Sequence, residues 1–268
     1  ETANASQHVK NMLAGVSGFD LALLIIAADE GVRPQTREHL AILDLLEVND
    51  AIVVITKSDL VDSDWIELVE VEIEELLEDT RLAGSKIVSV SAVTGDGLDN
   101  LRATLDKRLG STEPRKDLGR PRLAVDRSFT ITGFGTVVTG TLTDGCLHTG
   151  QEIQIVPSQK RARIRGLQTH HQQLQEARPG SRVAVNLSGI SHEQIQRGQV
   201  LTTPGWLRTT PALDVILTMS KDRPQVLRHN STVSFHCGTT ETLAKVRLLE
   251  DDVIKAGDSA WVQLRLYD

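Results

Sequence analysis

Cysteine is nearly absent from this chain, which narrows its chemistry at once. Cys146 and Cys237 lie far apart, with no CxxC pair and no Cys/His cluster around either. That spacing argues against a zinc site or a disulfide framework and for ordinary reduced thiols. Long apolar runs are missing too, and the opening ETANASQHVKN lacks the pattern of a secretory leader. A cytoplasmic location with no membrane partner is the resulting expectation. Positive charge is in deficit: 29 Lys and Arg against 36 Asp and Glu give a formal net charge of -7 and a pI near 5.6. Any nucleic acid must therefore be met by a local basic face and not by a global field. No GxxxxGK followed by Ser or Thr occurs anywhere. The loop that wraps nucleotide phosphates, and the hydroxyl that binds magnesium, thus have no counterpart in these residues.

What is present alternates. LALLIIAAD, TREHLAILDLLEV, AIVVITK, WIELVEVEIEELLED, KIVSVSA and LDNLRATLDKRL read as strand and helix in turn, the pattern of a parallel sheet with crossover helices. STEPRKDLG then has linker character. Beyond it helical periodicity fades, and short β-type runs such as TVVTGTL, QEIQIV, RARIRGL and RVAVNL appear between turn signals, with a further break at TTPGW before DVILTM, STVSFH, LAKVRLL and SAWVQLRLY. The fold class expected is an α/β sheet domain over residues 1–112, a linker at 113–120, and two β-barrel-type modules at 121–205 and 206–268. The last is short for an independent domain, so an incomplete barrel is expected there.

The tetrad Thr56-Lys57-Ser58-Asp59 follows a β-branched run, Ile52 to Ile55, and so falls at the carboxyl end of a buried strand. In open α/β sheets that edge is where ligands bind. Guanine presents two adjacent N–H donors that one carboxylate can accept. Asp59 is placed to do so, with the aliphatic stem of Lys57 available to cover the base face. The alternative is a polar turn that caps the next helix. SVSAVTGDG also ends a predicted strand; there the Ala92 N–H could meet the guanine carbonyl while small Ser91 and Ala92 allow close approach. Two such loops on neighbouring strands favour the base-reading alternative.

Several segments resemble a known family. KNMLAGVSGFDLALLIIAADEGVRPQTREHLAIL, TKSDL and SAVTGDGL resemble the latter part of the GTP-binding domain of translational GTPases, and FTITGFGTVVTGTL resembles the start of their second domain. Within that superfamily the chain is most similar to the selenocysteine-specific elongation factors, through Thr56 in place of Asn, AVDRSFTITGFGTVVTGTLTDG and AKVRLLE. Elongation factor Tu and the initiation factor subunit that carries initiator tRNA are similar but weaker matches. The resemblance implies a partial GTP-binding domain over 1–112, with GTP or GDP read by Thr56, Lys57, Asp59, Ser91, Ala92 and Val93. It also implies a pocket for the aminoacyl end of selenocysteinyl-tRNA at Asp126 and Arg127, and the ribosome as partner. An Arg there suits an anionic selenolate; without the resemblance, Asp126 and Arg127 read as a surface ion pair at a strand start.

Aligning the family's DxPGHE segment back from Val9 places Glu1, Asn4 and Ala5 where the family has Asp, Gly and His. The resemblance thus implies no catalytic residue and no Mg2+ site in this chain, weak or absent nucleotide binding, and no GTP hydrolysis by the chain alone, as for a fragment, a remnant or a segment cut from a longer protein. The winged helices that bind the messenger hairpin lie outside the matching segments, so that hairpin is not expected as a partner. A nucleotide-free binding scaffold is the alternative function.

Four other features carry blander readings. Lys160, Arg161, Arg163 and Arg165 read as one face of a strand, either contacting phosphate or kept charged against edge pairing. His170 and His171 lack carboxylate or thiol partners at ligand spacing and read as surface residues. Gly133, Gly135 and Gly140 sit between strands and read as turn or bend glycines. WIELVEVEIEELLED reads as a surface helix packed on a sheet.

Overall fold

The computed structural model describes residues 20–111, 117–220, 226–250 and 252–267. The described residues divide into two compact units, 20–111 and 117–267. The first runs β1 (Ala22–Ala27), α1 (Pro34–Leu45), β2 (Ala51–Thr56), α2 (Ser63–Leu77), β3 (Lys86–Ser89) and α3 (Leu98–Ser111). The strands form a three-stranded sheet in the order β1-β2-β3, all parallel, so α1 and α2 are crossovers and α3 follows the last strand.

Local chemistry sets the boundaries. Pro34 opens α1, where its missing N–H costs nothing, and the Thr36 hydroxyl accepts the Arg33 N–H at 3.2 Å. The Asp62 carboxylate caps α2 by accepting the Trp65 N–H at 2.9 Å. Val69, Ile73 and Leu77 recur every four residues and form the buried side of that otherwise acidic helix. Ile52, Val53, Val54 and Ile55 are buried on both faces, as a central parallel strand requires. β1 instead alternates: Leu24 and Ile26 are buried while Leu23 and Ile25 are 46% and 60% exposed.

The second unit begins with a closed barrel. Its strands are β4 (Arg122–Ile131), β5 (Gly135–Asp144), β6 (Leu147–His148), β7 (Glu152–Val156), β8 (Lys160–Thr169), β9 (Gln172–Leu174), β10 (Glu176–Ala177), β11 (Arg182–Ser188) and β12 (Val200–Thr202). Six of them run in the order β11-β5-β4-β12-β7-β8, and β8 pairs back onto β11. β9 extends β8, while β6 and β10 pair with each other. Alternate residues point inward, so Leu123, Val125, Ile153, Ile155, Val185 and Leu201 are wholly shielded from water. Each such aliphatic side chain contributes roughly 1.5–3 kcal/mol of burial free energy.

Gly133 and Gly135 have φ of 83° and 86° in the β4–β5 turn, a left-handed geometry that glycine takes without strain. Gly140 serves differently. A Cβ built there would sit 2.1 Å from the Ala124 carbonyl oxygen, so β5 runs against β4 more closely than any side chain permits. His170 and His171 form the exposed two-residue turn between β8 and β9, both at positive φ. One expectation is corrected. Arg161, Arg163 and Arg165 are exposed, but Lys160 lies on the opposite parity, that of Ala162 and Ile164, and is exposed only because the strand begins there. A strand alternates faces at every residue, so four basic residues of which two are adjacent cannot share one face.

The third module comprises β13 (Ala212–Thr218), β14 (Leu227–Arg228), β15 (Thr232–Cys237), β16 (Thr240–Leu248), β17 (Val253–Ile254) and β18 (Ser259–Leu266). It forms a four-stranded antiparallel sheet, β13-β18-β16-β15, and a small β14–β17 pair around Ala244, Val246 and Val262. No described helix is long and apolar enough to cross a membrane.

Candidate functional site

Because β1, β2 and β3 are parallel neighbours, their carboxyl ends meet at one edge, and the chemistry collects there. The Ala28 N–H donates to the Thr56 carbonyl at 2.8 Å, and the Thr56 hydroxyl donates to the Ile26 carbonyl at 3.4 Å. Lys57 then takes a left-handed conformation, φ 57° and ψ 36°, which breaks the strand and winds Ser58–Leu60 into a single 3-10 turn. The turn presents Asp59 at the edge.

The second loop is built around one hydroxyl. Ser91 is fully buried; its Oγ accepts the N–H groups of Val93 at 3.2 Å and Thr94 at 3.1 Å and donates to Asp59 Oδ1 at 2.5 Å. The Ser58 N–H adds a bond to the Val90 carbonyl at 3.2 Å. Gly97 lets the second loop fold back against the end of β3, since a Cβ there would meet the Ser89 carbonyl oxygen at 2.0 Å. The loops of Thr56–Asp59 and Ser91–Val93 are thereby one hydrogen-bonded object.

Asp59 Oδ2 and the Ala92 N–H carry no hydrogen bond among the described residues, and Ala92 and Val93 are exposed. One carboxylate oxygen and one amide thus remain available at this edge. The helix-capping alternative for Asp59 is set aside by the finding that Asp62 caps α2.

Lys57 holds something the sequence reading missed. Its Nζ donates to both oxygens of Asp29 at 3.0 Å and lies 3.7 Å from Glu30. The Asp29 hydrogen bond, opposed by desolvation and aided by the charges of Asp29 and Glu30, raises the Lys57 pKa above the ordinary lysine value. Asp29 ends the run LALLIIAAD, just past a strand paired in register with β2, and that run was the available signal.

On the barrel, β4 and β5 slip register between Val125 and Arg127: Val125 faces Gly140 and Arg127 faces Thr139, leaving Asp126 as the extra residue of a bulge. Asp126 Oδ1 accepts the Thr139 hydroxyl at 2.5 Å, and its other oxygen pairs with the Arg182 guanidinium. Asp126 is half-buried and Arg127 exposed. The alternative reading of Asp126 and Arg127 as an ion pair with each other does not hold: Asp126 pairs with Arg182, because Arg182 on β11 lies across β5 from β4. Sequence spacing held no signal for that partner. In the basic stripe, Arg161 pairs with Glu152 at 3.2 Å. No described cluster of three or more His, Cys, Asp or Glu side chains is arranged to hold a metal ion.

The family profile of the elongation factor Tu GTP binding domain matches residues 5–111, and that of elongation factor Tu domain 2 matches residues 135–202. A selenocysteine-specific elongation factor of Desulfomicrobium baculatum is 45% identical over 96% of this chain and 40% of its own length. That of Escherichia coli is 37% identical over 91% of this chain and 39% of its own. Elongation factor 1-alpha of Natronomonas pharaonis is 30% identical, covering 96% of this chain and 68% of its own length. Among solved structures, apo translation elongation factor SelB of Methanococcus maripaludis superposes with a TM-score of 0.86 at 28% identity, covering 98% of this chain and 61% of that one. A bacterial selenocysteine-specific elongation factor superposes with a TM-score of 0.83 at 28% identity, covering 97% of this chain and 42% of that one. The chain thus spans about two fifths of the selenocysteine-specific relatives it matches in sequence.

Proposed function

Since the chain belongs to the elongation factor Tu family of translation factors, we propose that its first unit reads the guanine of GTP or GDP and its barrel receives the aminoacyl end of selenocysteinyl-tRNA for delivery to the ribosome. The setting is the cytoplasm, with modules divided at 1–112, 121–205 and 206–268 around a linker at 113–120. The observation that carries the reading is the Ser91–Asp59 hydrogen bond, which joins the two loops while leaving Asp59 Oδ2 open and the helix cap to Asp62. Asp59 would accept the two guanine N–H groups and the Ala92 amide would donate to the guanine carbonyl, flanked by Thr56, Lys57, Ser91 and Val93. GDP should raise the unfolding midpoint of the 268-residue chain and ADP should not, because only a ligand of the native state stabilises it.

The base is the part that these residues fit. The 268 residues hold no phosphate loop, so we infer weak nucleotide affinity, no Mg2+ site and no GTP hydrolysis by this chain alone. A phosphate-release assay should stay at the no-protein level, with or without ribosomes. A nucleotide-free scaffold is the second reading, favoured by the engagement of Lys57 with Asp29 and Glu30. Absence of any GDP shift would select it.

For the barrel, the carboxylate of Asp126 is already paired with Arg182, while Arg127, the next residue on β4, is exposed and carries a positive charge suited to a selenolate. Arg127→Ala should weaken binding of selenocysteinyl-tRNA roughly tenfold or more, the cost of one charged hydrogen bond, and seryl-tRNA much less. Single alanines at Arg161, Arg163 or Arg165 should each have a smaller effect, because phosphate contacts are shared among many groups. Equal losses for both tRNAs would remove Arg127 as the selector.

A further inference from the structure

Gly238 and Thr239 form the tight turn between β15 and β16, and this turn of the third module lies against the barrel where β4 bulges. The Thr239 hydroxyl donates to the Val125 carbonyl at 2.8 Å. The same carbonyl accepts the Gly198 N–H at 2.9 Å, and the Val125 N–H donates to the Gln199 carbonyl at 2.8 Å. The Thr240 hydroxyl donates to the Gly198 carbonyl at 2.7 Å. Gly198 has φ 94°, and a Cβ on it would lie 2.8 Å from the Thr240 hydroxyl, so the closeness depends on glycine. Val125 is wholly buried and is the last residue in register before the bulged Asp126.

We propose that the Thr239 hydroxyl is a positioning group for the aminoacyl pocket: held from the third module, the Val125 carbonyl fixes the bulge that presents Asp126 and Arg127 together on the barrel's outer face. This rests on the reading of Asp126 and Arg127 as that pocket. A bulge is an irregularity with a missing ladder bond, so the peptide beside it is freer to rotate than one in a regular strand. The Gly198 N–H already holds this carbonyl from within the barrel, and the Thr239 hydroxyl adds a second bond from a separate sheet that restrains it further. The geometry of the pocket then depends on how the third module is seated, and amino-acid selectivity becomes a property of both modules.

The test is the ratio of affinities of the full 268-residue chain for tRNA carrying selenocysteine and the same tRNA carrying serine. Four variants are compared with wild type: Thr239→Val, Thr239→Ser, Thr240→Val and Arg127→Ala. Thr239→Val keeps the shape and removes the donor; it should lower the ratio roughly threefold to tenfold, the worth of one hydrogen bond. Thr239→Ser should restore it. Thr240→Val, which loosens the same junction without touching Val125, should leave the ratio near wild type. A wild-type ratio in Thr239→Val alongside a reduced one in Arg127→Ala overturns the proposal and leaves the pocket standing. Equal falls in Thr239→Val and Thr240→Val overturn it too, since only general loosening would then matter. A ratio that Arg127→Ala does not move overturns the pocket reading and this proposal with it.

Discussion

Asp59→Ala should abolish the preference of the first unit for guanine over adenine nucleotides. A site arranged for two N–H donors leaves its carboxylate unpaired when adenine enters, at a cost of about 1–3 kcal/mol or more, which is roughly tenfold to a hundredfold in relative affinity. With the carboxylate gone, GDP and ADP should produce equal, small shifts in unfolding midpoint. Asp62→Ala is the matched control, removing the same charge three residues later. It should cost about 1 kcal/mol of stability through the lost helix cap and leave base selectivity intact. Equal binding of GDP and ADP by the wild type would show that the edge does not read the base.

Gly140→Ala should strongly destabilise the barrel. The added carbon would meet the Ala124 carbonyl oxygen at 2.1 Å and Leu123 Cδ2 at 2.7 Å, so β4 and β5 must separate next to the bulge. Overpacking against backbone gives a cost of about 3 kcal/mol or more. Urea unfolding should show a lowered midpoint with little change in slope. Gly150→Ala, at φ 87° but with nothing within 4 Å of the new carbon, should cost only the local conformational strain, about 1 kcal/mol. Comparable losses in the two variants would mean that the close approach at Gly140 is not what holds the strands.

Much of the first unit was legible because parallel sheets impose a simple rule. AIVVIT is β-branched from Ile52 onward and ends up buried on both faces, and TKSDL and SVSA each come at the end of a strand, so they meet at one edge. The Ser91–Asp59 bond is the physical form of that expectation. Asp29 and Glu30 were missed although LALLIIAAD points to the same edge, because a carboxylate after a strand announces no partner until the strand order is known. Arg182 was missed more deeply. Its pairing with Asp126 depends on β11 lying beside β5, a neighbour relation that antiparallel barrels set through nonlocal hydrogen bonds and that no local pattern encodes. Lys160 failed for a simpler reason, since charge was counted along the strand without its two-residue period.

The place of β12 has a consequence for synthesis. Residues 200–202 insert between β4 and β7, pairing Val200 with Ala124 on one side and with Val156 on the other. Every earlier strand of the barrel is therefore made before the one that completes its circumference, and until then β4 and β7 each carry an unpaired edge. A nascent chain halted before this point should expose those edges to proteases and to other chains, and one released a few residues later should not. Protection should therefore appear abruptly as the emerging chain passes residue 202, instead of accumulating hairpin by hairpin, because the closing strand is also the last to be made.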